Sequence, residues 1–180
     1  MAAVVRLVDD GVTIGDLSVE RIARTAGVGK ATVYRRWATK ESLCVDVIRS
    51  MAPDPVPMPG TSVRDDLVAV LENVRRHHTA HRAPLLVLDV LTHLKTLPRL
   101  WEVYTSEVIE PWQRSALAVL RRGVADGEIR SDVDVTLLND LLISPVLVRS
   151  VLMPPEALCP DLPERVVDTL LAGLGAQAPG

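Results

Sequence analysis

Six basic side chains occur between residues 21 and 40, a stretch that contains no acidic residue. In chain order they are Arg21, Arg24, Lys30, Arg35, Arg36 and Lys40. The whole chain of 180 residues has a net charge of −3, whereas residues 1–50 carry eight Lys and Arg against six Asp and Glu, a net of +2. A local positive stripe on an acidic protein is typical of an element that binds phosphate groups. A solvated basic helix face is the alternative that the stripe alone leaves open.

Two short helices joined by a tight turn are predicted to carry this stripe. Ser18 and Thr39 are favourable N-cap residues, and each precedes a glutamate in the first turn, where the helix dipole favours a negative charge. Gly27 provides the left-handed residue that such a turn needs. The small core between the helices is expected to consist of Ile22, Ala23, Ala26, Val28 and Val33. Helices joined in this way cross at about 90–120°, so the second one can enter the major groove of DNA.

The same segment resembles the DNA-binding domain of the tetracycline-repressor (TetR) family. In that family the pattern AGV-x-x-x-T-x-Y-x-x-x-x-x-K-x-x-L marks the recognition helix and the start of the next helix. Every position of the pattern is filled here, by Ala26, Gly27, Val28, Thr32, Tyr34, Lys40 and Leu43. Residues 122–132, followed by a long apolar segment, more loosely resemble the C-terminal domains of an actinobacterial-type branch of the family.

The resemblance implies a set of DNA-facing residues. By position they are Lys30, Ala31, Thr32, Tyr34, Arg35, Arg36 and Lys40. Lys30 and Arg35 are the expected base readers, because Lys and Arg side chains match the O6 and N7 acceptors of guanine. Ala31 is expected to contact a thymine methyl group, and the other four are expected to contact phosphate or sugar. We interpret Trp37 as a packing residue that holds the recognition helix against the first or fourth helix.

The first helical segment, residues 2–10, departs from the family pattern because most members begin with a longer helix that often follows a basic arm. Either the start is truncated or the arm is absent, so the resemblance does not imply minor-groove contacts from such an arm.

The remaining chain shows apolar residues at three- and four-residue spacing without strand-like alternation, interrupted by a proline-rich stretch at residues 51–60. We therefore predict an all-α fold of about nine or ten helices. A three-helix helix-turn-helix DNA-binding domain is assigned to residues 1–50, and an effector-binding and dimerisation domain to residues 51–180. The predicted helices are 2–10, 18–25, 29–36, 40–50, 62–79, 83–95, 98–107, 108–126, 134–153 and 162–174. Pro111 and Pro145 fall inside helical patterns and predict a break or kink at each position.

The C-terminal segments are expected to pair two copies of the chain. Residues 134–153 are apolar nearly all round, so this helix must be buried on more than one side, either between copies or inside one chain. By resemblance, the last two helices meet their mates in a four-helix interface. The expected interface residues are Leu138, Leu142, Val146, Val167, Leu170, Leu171 and Leu174.

A small-molecule pocket is expected in the helical body, as in the family. Its candidate lining residues are Leu88, Leu91, Trp101, Tyr104, Trp112, Leu141 and Val148, each of which ordinary core packing also explains. Because aromatic residues make up only 3% of the chain, we expect an aliphatic pocket and a small hydrophobic effector.

Other classes of function find little support in the sequence. His77, His78 and His81 cluster, but neighbouring arginines disfavour a cation, so we interpret the cluster as a solvated helix end and expect no metal. Glycine-rich phosphate loops and the common hydrolase motifs are missing from the sequence, so we expect no catalysis and no cofactor. We find no signal peptide and no apolar run of about 18 residues, so a cytoplasmic protein without membrane contact is expected.

Together these patterns predict a one-component transcriptional repressor. A homodimer would bind a palindromic operator in double-stranded DNA and release it when the effector enters the helical body and the fourth helix moves. A transcriptional activator, or a DNA-binding protein without ligand control, is the alternative.

Overall fold

Helices form all the regular structure in the residues that the computed structural model describes, which are 2–13, 15–50, 52–55, 58–80 and 98–174. The description omits the side chains of Val8, Asp9, Lys40, Ala80 and Leu174. The helices are α1 (Ala2–Asp9), α2 (Val19–Ala26), α3 (Lys30–Arg36), α4 (Lys40–Ser50), α5 (Val63–Ala80), α6 (Pro98–Tyr104), α7 (Glu110–Ala125), α8 (Val135–Leu152) and α9 (Leu162–Leu174). A 3₁₀ turn at Pro155–Leu158 precedes α9. The predicted all-α fold is confirmed, while the predicted helix at 83–95 lies outside the described residues.

The helices belong to two compact units. The first unit is Met1–Pro53 with Ala80–Ile109, and the second is Asp54–Thr79 with Glu110–Gly180. In the first unit, α2 packs against α1 and α3, and α6 packs against α4. In the second, α8 packs against α7, α9 and the 3₁₀ turn. The predicted domain boundary at residue 50 stays a prediction, because the compact units combine parts of the chain from both sides of it.

A five-residue π-turn, Thr105–Ile109, lies where the sequence predicts a junction between two helices at residues 107 and 108. Pro111 follows in the first turn of α7 and has no N–H with which to bond the carbonyl of Glu107. The wider π-turn accommodates the proline ring without ending the helical backbone. The proline is therefore the physical cause of the irregularity predicted at this position.

A buried charge organises the start of α5 in the second unit. Asp66 is fully buried, and its carboxylate accepts hydrogen bonds from the Gly60 amide at 2.8 Å and from Arg122 Nη2 on α7 at 2.6 Å. A buried carboxylate needs such partners because removing it from water is costly. The contact therefore ties the loop before α5 and the helix α7 to the same point.

Helix α8 contradicts the expectation that the chain has no apolar run of about 18 residues. Among the described residues it is the one helix long and apolar enough, by length and composition, to cross a membrane. The core helix of a globular protein passes the same test, and α8 buries Leu138, Leu142 and Val146 within its own unit. The helix also continues through Pro145, where a break or kink was predicted.

His78 contradicts the interpretation of the histidine cluster as a solvated helix end, whereas His81 lies outside the described residues. Its side chain is only 2% exposed, and its ring meets Trp112 edge-on, with centroids 5.7 Å apart. Neither ring nitrogen has a hydrogen-bond partner within the described part of the chain. Burial, and secondarily the neighbouring His77, lowers the pKa of His78 to about 4. The residue is therefore a neutral core histidine, and the described residues contain no cluster able to hold a metal ion.

We predict that the stability of the protein falls by about 2 kcal/mol between pH 7 and pH 5 through His78 alone. In the unfolded chain this histidine takes up a proton near its ordinary pKa, whereas in the folded protein its pKa is about 4, so acid favours unfolding. Urea denaturation of wild type and His78→Phe at both pH values measures the effect. The phenylalanine variant keeps the ring against Trp112 and should show a smaller pH dependence. An equal pH dependence in both proteins would contradict the assignment.

Candidate nucleic-acid interface

The turn between α2 and α3 has the geometry that the sequence predicts. Ser18 caps α2, its hydroxyl accepting a hydrogen bond from the Arg21 amide. Gly27 ends the helix at φ 67° and ψ 30°, in the left-handed region where a residue with a Cβ is strained. The Val28 amide then donates to the Ala23 carbonyl at 3.0 Å, which completes a Schellman-type end. This closed turn fixes where α3 begins.

Helix α3 presents almost all of its side chains to solvent. Of its seven residues only Val33 is buried, at 4% exposure. The exposed ones are Lys30, Ala31, Thr32, Tyr34, Arg35 and Arg36, and they include all the predicted DNA-facing residues on this helix. Tyr34 is 55% exposed although it is a large aromatic residue, so folding leaves its ring available for another molecule.

The core beneath α3 differs in part from the predicted one. Ile22, Ala23 and Val33 are buried as expected. Ala26 and Val28 are exposed, because the left-handed turn at Gly27 directs the chain along the surface. Leu17 and Leu43, together with Trp37, complete the buried set instead.

A small cleft of about 140 Å³ lies beside the exposed face of α3. It is lined by Leu17, Ser18, Val19, Glu20, Val33, Tyr34, Trp37, Thr39 and Leu43. The first residues of α2 line it, and the residue before α4 does so too. Helix N-termini carry partial positive charge, which suits a phosphate group. The caps Ser18 and Thr39 already bond one amide at each helix start, and Glu20 adds a carboxylate to the lining. The cleft therefore combines two helix ends with the exposed Tyr34 ring.

The start of α4 is fixed by a reciprocal cap. Thr39 Oγ1 accepts from the Ser42 amide at 3.1 Å, and the Ser42 hydroxyl accepts from the Thr39 amide at 3.3 Å. This arrangement satisfies backbone donors that would otherwise be free at a helix start. Lys40 is the first residue of α4, and its side chain lies outside the described residues.

Two cations of the basic stripe have partners within the protein. Lys30 Nζ lies 2.7 Å from Glu20 Oε1 on α2, and this hydrogen bond holds the pKa of the Glu20 carboxyl below its usual range. The Arg36 guanidinium lies 4.8 Å from the centre of the Trp37 ring. Both contacts leave the cation at the surface, so each can still meet a phosphate or a base.

Trp37 links the recognition helix to α4, as one of the two predicted packing modes requires. It directly follows α3, is largely buried, and its Nε1–H donates to Asp46 Oδ2 at 2.9 Å. Its backbone amide bonds to the Val33 carbonyl at 2.9 Å. The residue thus closes α3 and joins it to the next helix.

The predicted pocket residues fall into both units. Leu88 and Leu91 lie outside the described residues. Trp101 and Tyr104 are in the first unit, with ring centroids 6.3 Å apart, and burial raises the pKa of Tyr104 to about 12. Trp112 is buried in the second unit, where its Nε1–H donates to Asn73 Oδ1 at 2.8 Å.

The other two pocket candidates, Leu141 and Val148, are exposed on α8. A common pocket stays a prediction.

The predicted dimer-interface residues also divide into two groups. Leu138, Leu142, Val146 and Val167 are buried within their own unit. Leu170 and Leu171 are half-buried, and the side chain of Leu174 lies outside the described residues. Leu138, Leu141 and Leu170 line an open groove of about 470 Å³ between α8 and α9.

Three residues of this surface were not singled out from the sequence. Ser42 was detectable, because a hydroxyl residue three positions after Thr39 is a known capping pattern. Glu20 lies just outside the acid-free stretch, and nothing in the sequence pairs it with Lys30, ten residues away. Asp46 gives no sequence signal, since its contact with Trp37 depends on how α4 crosses the end of α3.

Comparison with known proteins places both parts of the chain among bacterial regulators. Residues 14–47 match the model of the bacterial regulatory proteins of the tetR family, and residues 58–170 match that of the tetracyclin repressor-like C-terminal domain. The uncharacterized HTH-type transcriptional regulator YdeS of Bacillus subtilis is 30% identical over 142 residues, which span 78% of this chain and 71% of YdeS.

Two solved structures are also similar. The TetR family transcription regulator SCO0332 is 26% identical, with a TM-score of 0.61 over 96% of this chain and 94% of its own. The regulator FadR from Bacillus subtilis, solved in complex with stearoyl-CoA, is 17% identical with a TM-score of 0.71 over 96% of both chains, a likeness of fold alone.

Gly27→Ala is predicted to destabilise the protein by about 1–2 kcal/mol, because alanine is strained at positive φ. The site has open space around an added Cβ, so the cost reports backbone strain alone. Gly27→Asn is the matched control, since asparagine also adds a Cβ but tolerates the left-handed region. Urea denaturation followed by circular dichroism should show a larger loss for the alanine variant than for the asparagine variant. Equal effects would contradict the assigned turn.

Proposed function

The chain belongs to the tetR family of bacterial regulatory proteins, and we propose that it is a ligand-responsive repressor that binds a palindromic operator as a homodimer. The observation that carries this proposal is the exposed face of α3, which presents Lys30, Tyr34 and Arg35. Tyr34 also lines the cleft beside the first residues of α2 and the residue before α4. A protein with a net charge of −3 repels DNA over most of its surface, so binding has to use such a local positive site.

DNA recognition divides between base edges and backbone. Lys30 and Arg35 read bases from the major groove, and Ala31 contacts a thymine methyl. Thr32, Tyr34 and Arg36 contact phosphate or sugar, and Lys40 is assigned the same role at the start of α4. Lys30 is also paired with Glu20, and both side chains are exposed, so this lysine can leave its partner to reach a base.

Dimer formation is supported by an exposed apolar stripe on α8. Leu137, Leu141, Val148 and Leu152 are exposed and lie on one face at helical spacing. Leu141 also lines the groove between α8 and α9. An apolar face of this kind suits contact with a second copy, in which two helices from each chain pack together. We therefore propose that this stripe, with Leu170 and Leu171, forms the interface, while Leu138, Leu142, Val146 and Val167 support it from inside.

Release by a small hydrophobic effector completes the proposal. The FadR structure, which shares this fold, contains stearoyl-CoA, and the aliphatic composition of this chain suits an apolar ligand. An effector that binds better to a form in which the two copies of α3 are displaced lowers operator affinity. The size of the decrease is the ratio of the effector's affinities for the displaced and the DNA-binding forms. Such a regulator acts in the cytoplasm, binds its ligand without changing a covalent bond, and needs neither metal nor cofactor.

Operator binding by variants of α3 tests the proposal. We expect Arg35→Ala to cost about 1–3 kcal/mol of binding free energy and to relax discrimination at one position in each half-site. Tyr34→Phe, which keeps the ring and removes the hydroxyl, should weaken binding to all duplexes alike. Arg114→Ala is the control, because it removes an exposed arginine of α7 that is paired with Glu110.

Fluorescence anisotropy with a selected operator and a scrambled duplex, over a range of salt concentrations, measures these effects. Unchanged affinity in both α3 variants, or an equal loss in the control, would contradict the docking model.

Leu141→Glu is predicted to convert the dimer to a monomer at micromolar concentration, because it places a charge in the middle of the apolar stripe. Ala118→Glu is the control, since Ala118 is exposed on α7 outside that stripe. Sedimentation equilibrium of the three proteins gives the answer. A wild-type monomer, or a Leu141→Glu protein that remains a dimer, would exclude this interface.

A further inference from the structure

The short recognition helix depends on few contacts for its orientation. Helix α3 has seven residues, too few to be stable alone. Its described attachments to other helices are the buried side chain of Val33, the Lys30–Glu20 pair and the contact made by Trp37 at its end. The Lys30–Glu20 pair is exposed on both sides, and ion pairs in water contribute little. Val33 packs without directional preference.

The Trp37–Asp46 hydrogen bond is the directional attachment. The indole Nε1–H donates to the Asp46 carboxylate at 2.9 Å in a partly buried setting. A hydrogen bond to a charged acceptor that is partly shielded from water is stronger than one between neutral groups. The Arg36 guanidinium lies over the same indole ring at 4.8 Å, so the orientation of Trp37 also affects a predicted phosphate contact.

Asp46 lies on α4, and contacts with other elements of the first unit hold this helix in place. Helix α4 packs against α6 and the π-turn within the first unit. Arg49 Nε lies 3.5 Å from Glu107 Oε1 of that turn. The direction of the hydrogen bond at Asp46 is therefore set by the body of the unit, and it defines where the end of α3 lies relative to the start of α4.

We propose that Asp46 is a positioning residue for DNA recognition, which acts through Trp37 to fix the recognition helix at the angle that operator binding requires. The proposal rests on the operator-binding function proposed above. Asp46 itself touches no DNA in this scheme. Asp46 acts as the acceptor of the Trp37 hydrogen bond, and its charge strengthens that bond without being required for it.

The variants Asp46→Ala, Asp46→Asn and Trp37→Phe separate the role of Asp46 as a hydrogen-bond acceptor from the role of its charge. Asp46→Asn keeps an acceptor oxygen and loses the charge, whereas Asp46→Ala loses both. Trp37→Phe keeps an aromatic ring and loses the donor. Glu102→Ala is the charge control, because it removes one exposed acid from α6 in the same unit. Operator dissociation constants are measured for each variant and for the double variant Trp37→Phe/Asp46→Ala.

We expect Asp46→Ala and Trp37→Phe each to weaken operator binding about tenfold, the size of effect that a hydrogen bond to a charged group produces. The double variant should be no weaker than either single variant, because both remove the same bond. Asp46→Asn should bind within about threefold of wild type, and Glu102→Ala should bind as wild type does. In a ¹H–¹⁵N spectrum, the Trp37 indole signal should move in Asp46→Ala and return toward its original position in Asp46→Asn.

Three results would overturn the proposal: wild-type affinity in Asp46→Ala, equal losses in Asp46→Ala and Asp46→Asn, or additive losses in the double variant. If Asp46→Ala fails to fold by circular dichroism, the comparison of Trp37→Phe with Asp46→Asn decides instead. Weakened binding only in Trp37→Phe supports the proposal, and equal affinities reject it. A wild-type protein that prefers no duplex sequence would instead reject the proposed function itself.

Discussion

A helix of seven residues cannot maintain its own orientation, and this constraint governs the whole N-terminal unit. Helix α3 exposes all of its side chains except Val33, so it contributes little apolar burial to its own stability. Neighbouring elements have to fix its two ends. Gly27 in its left-handed conformation fixes where the helix begins, and Trp37, bonded to Asp46, fixes where it ends. The surface that we propose for DNA contact is therefore positioned by residues outside that surface.

Local electrostatics explain how an acidic protein can present a site for a polyanion. The net charge of −3 says nothing about the exposed face of α3, which presents Lys30 and Arg35 and has Tyr34 beside the starts of α2 and α4. Backbone amides at helix N-termini favour anions without a formal charge and do not appear in a count of residues. Glu20 reduces the local charge at Lys30, and both side chains stay exposed.

The sequence predicts this fold well because helical periodicity and end signals agree along most of the chain. Ser18, Thr39 and Gly27 mark helix ends by local chemistry, and the structure has helix ends at each of them. These local signals do not reveal contacts between residues that are far apart in the sequence. The burial of His78 against Trp112 depends on how two helices pack, whereas the local sequence pattern predicts a solvated helix end.

The same limit applies to α8 and to the recognition helix. An all-round apolar pattern does not say which face is covered by the chain itself, and the structure buries Leu138 and Leu142 while exposing Leu137 and Leu141. Residues on the exposed face of α3 were predictable because the family pattern fixes their positions. Asp46 was not, because its role arises from a crossing of two helices.

Selection of bound duplexes from a random DNA pool, with the unmodified protein, tests the central claim most directly. The account predicts enrichment of a pseudo-palindrome whose half-sites are spaced about one helical turn apart, near 34 Å, with affinity that falls as salt increases. A pool without enriched sequence, obtained from protein whose first fifty residues are folded, would contradict it.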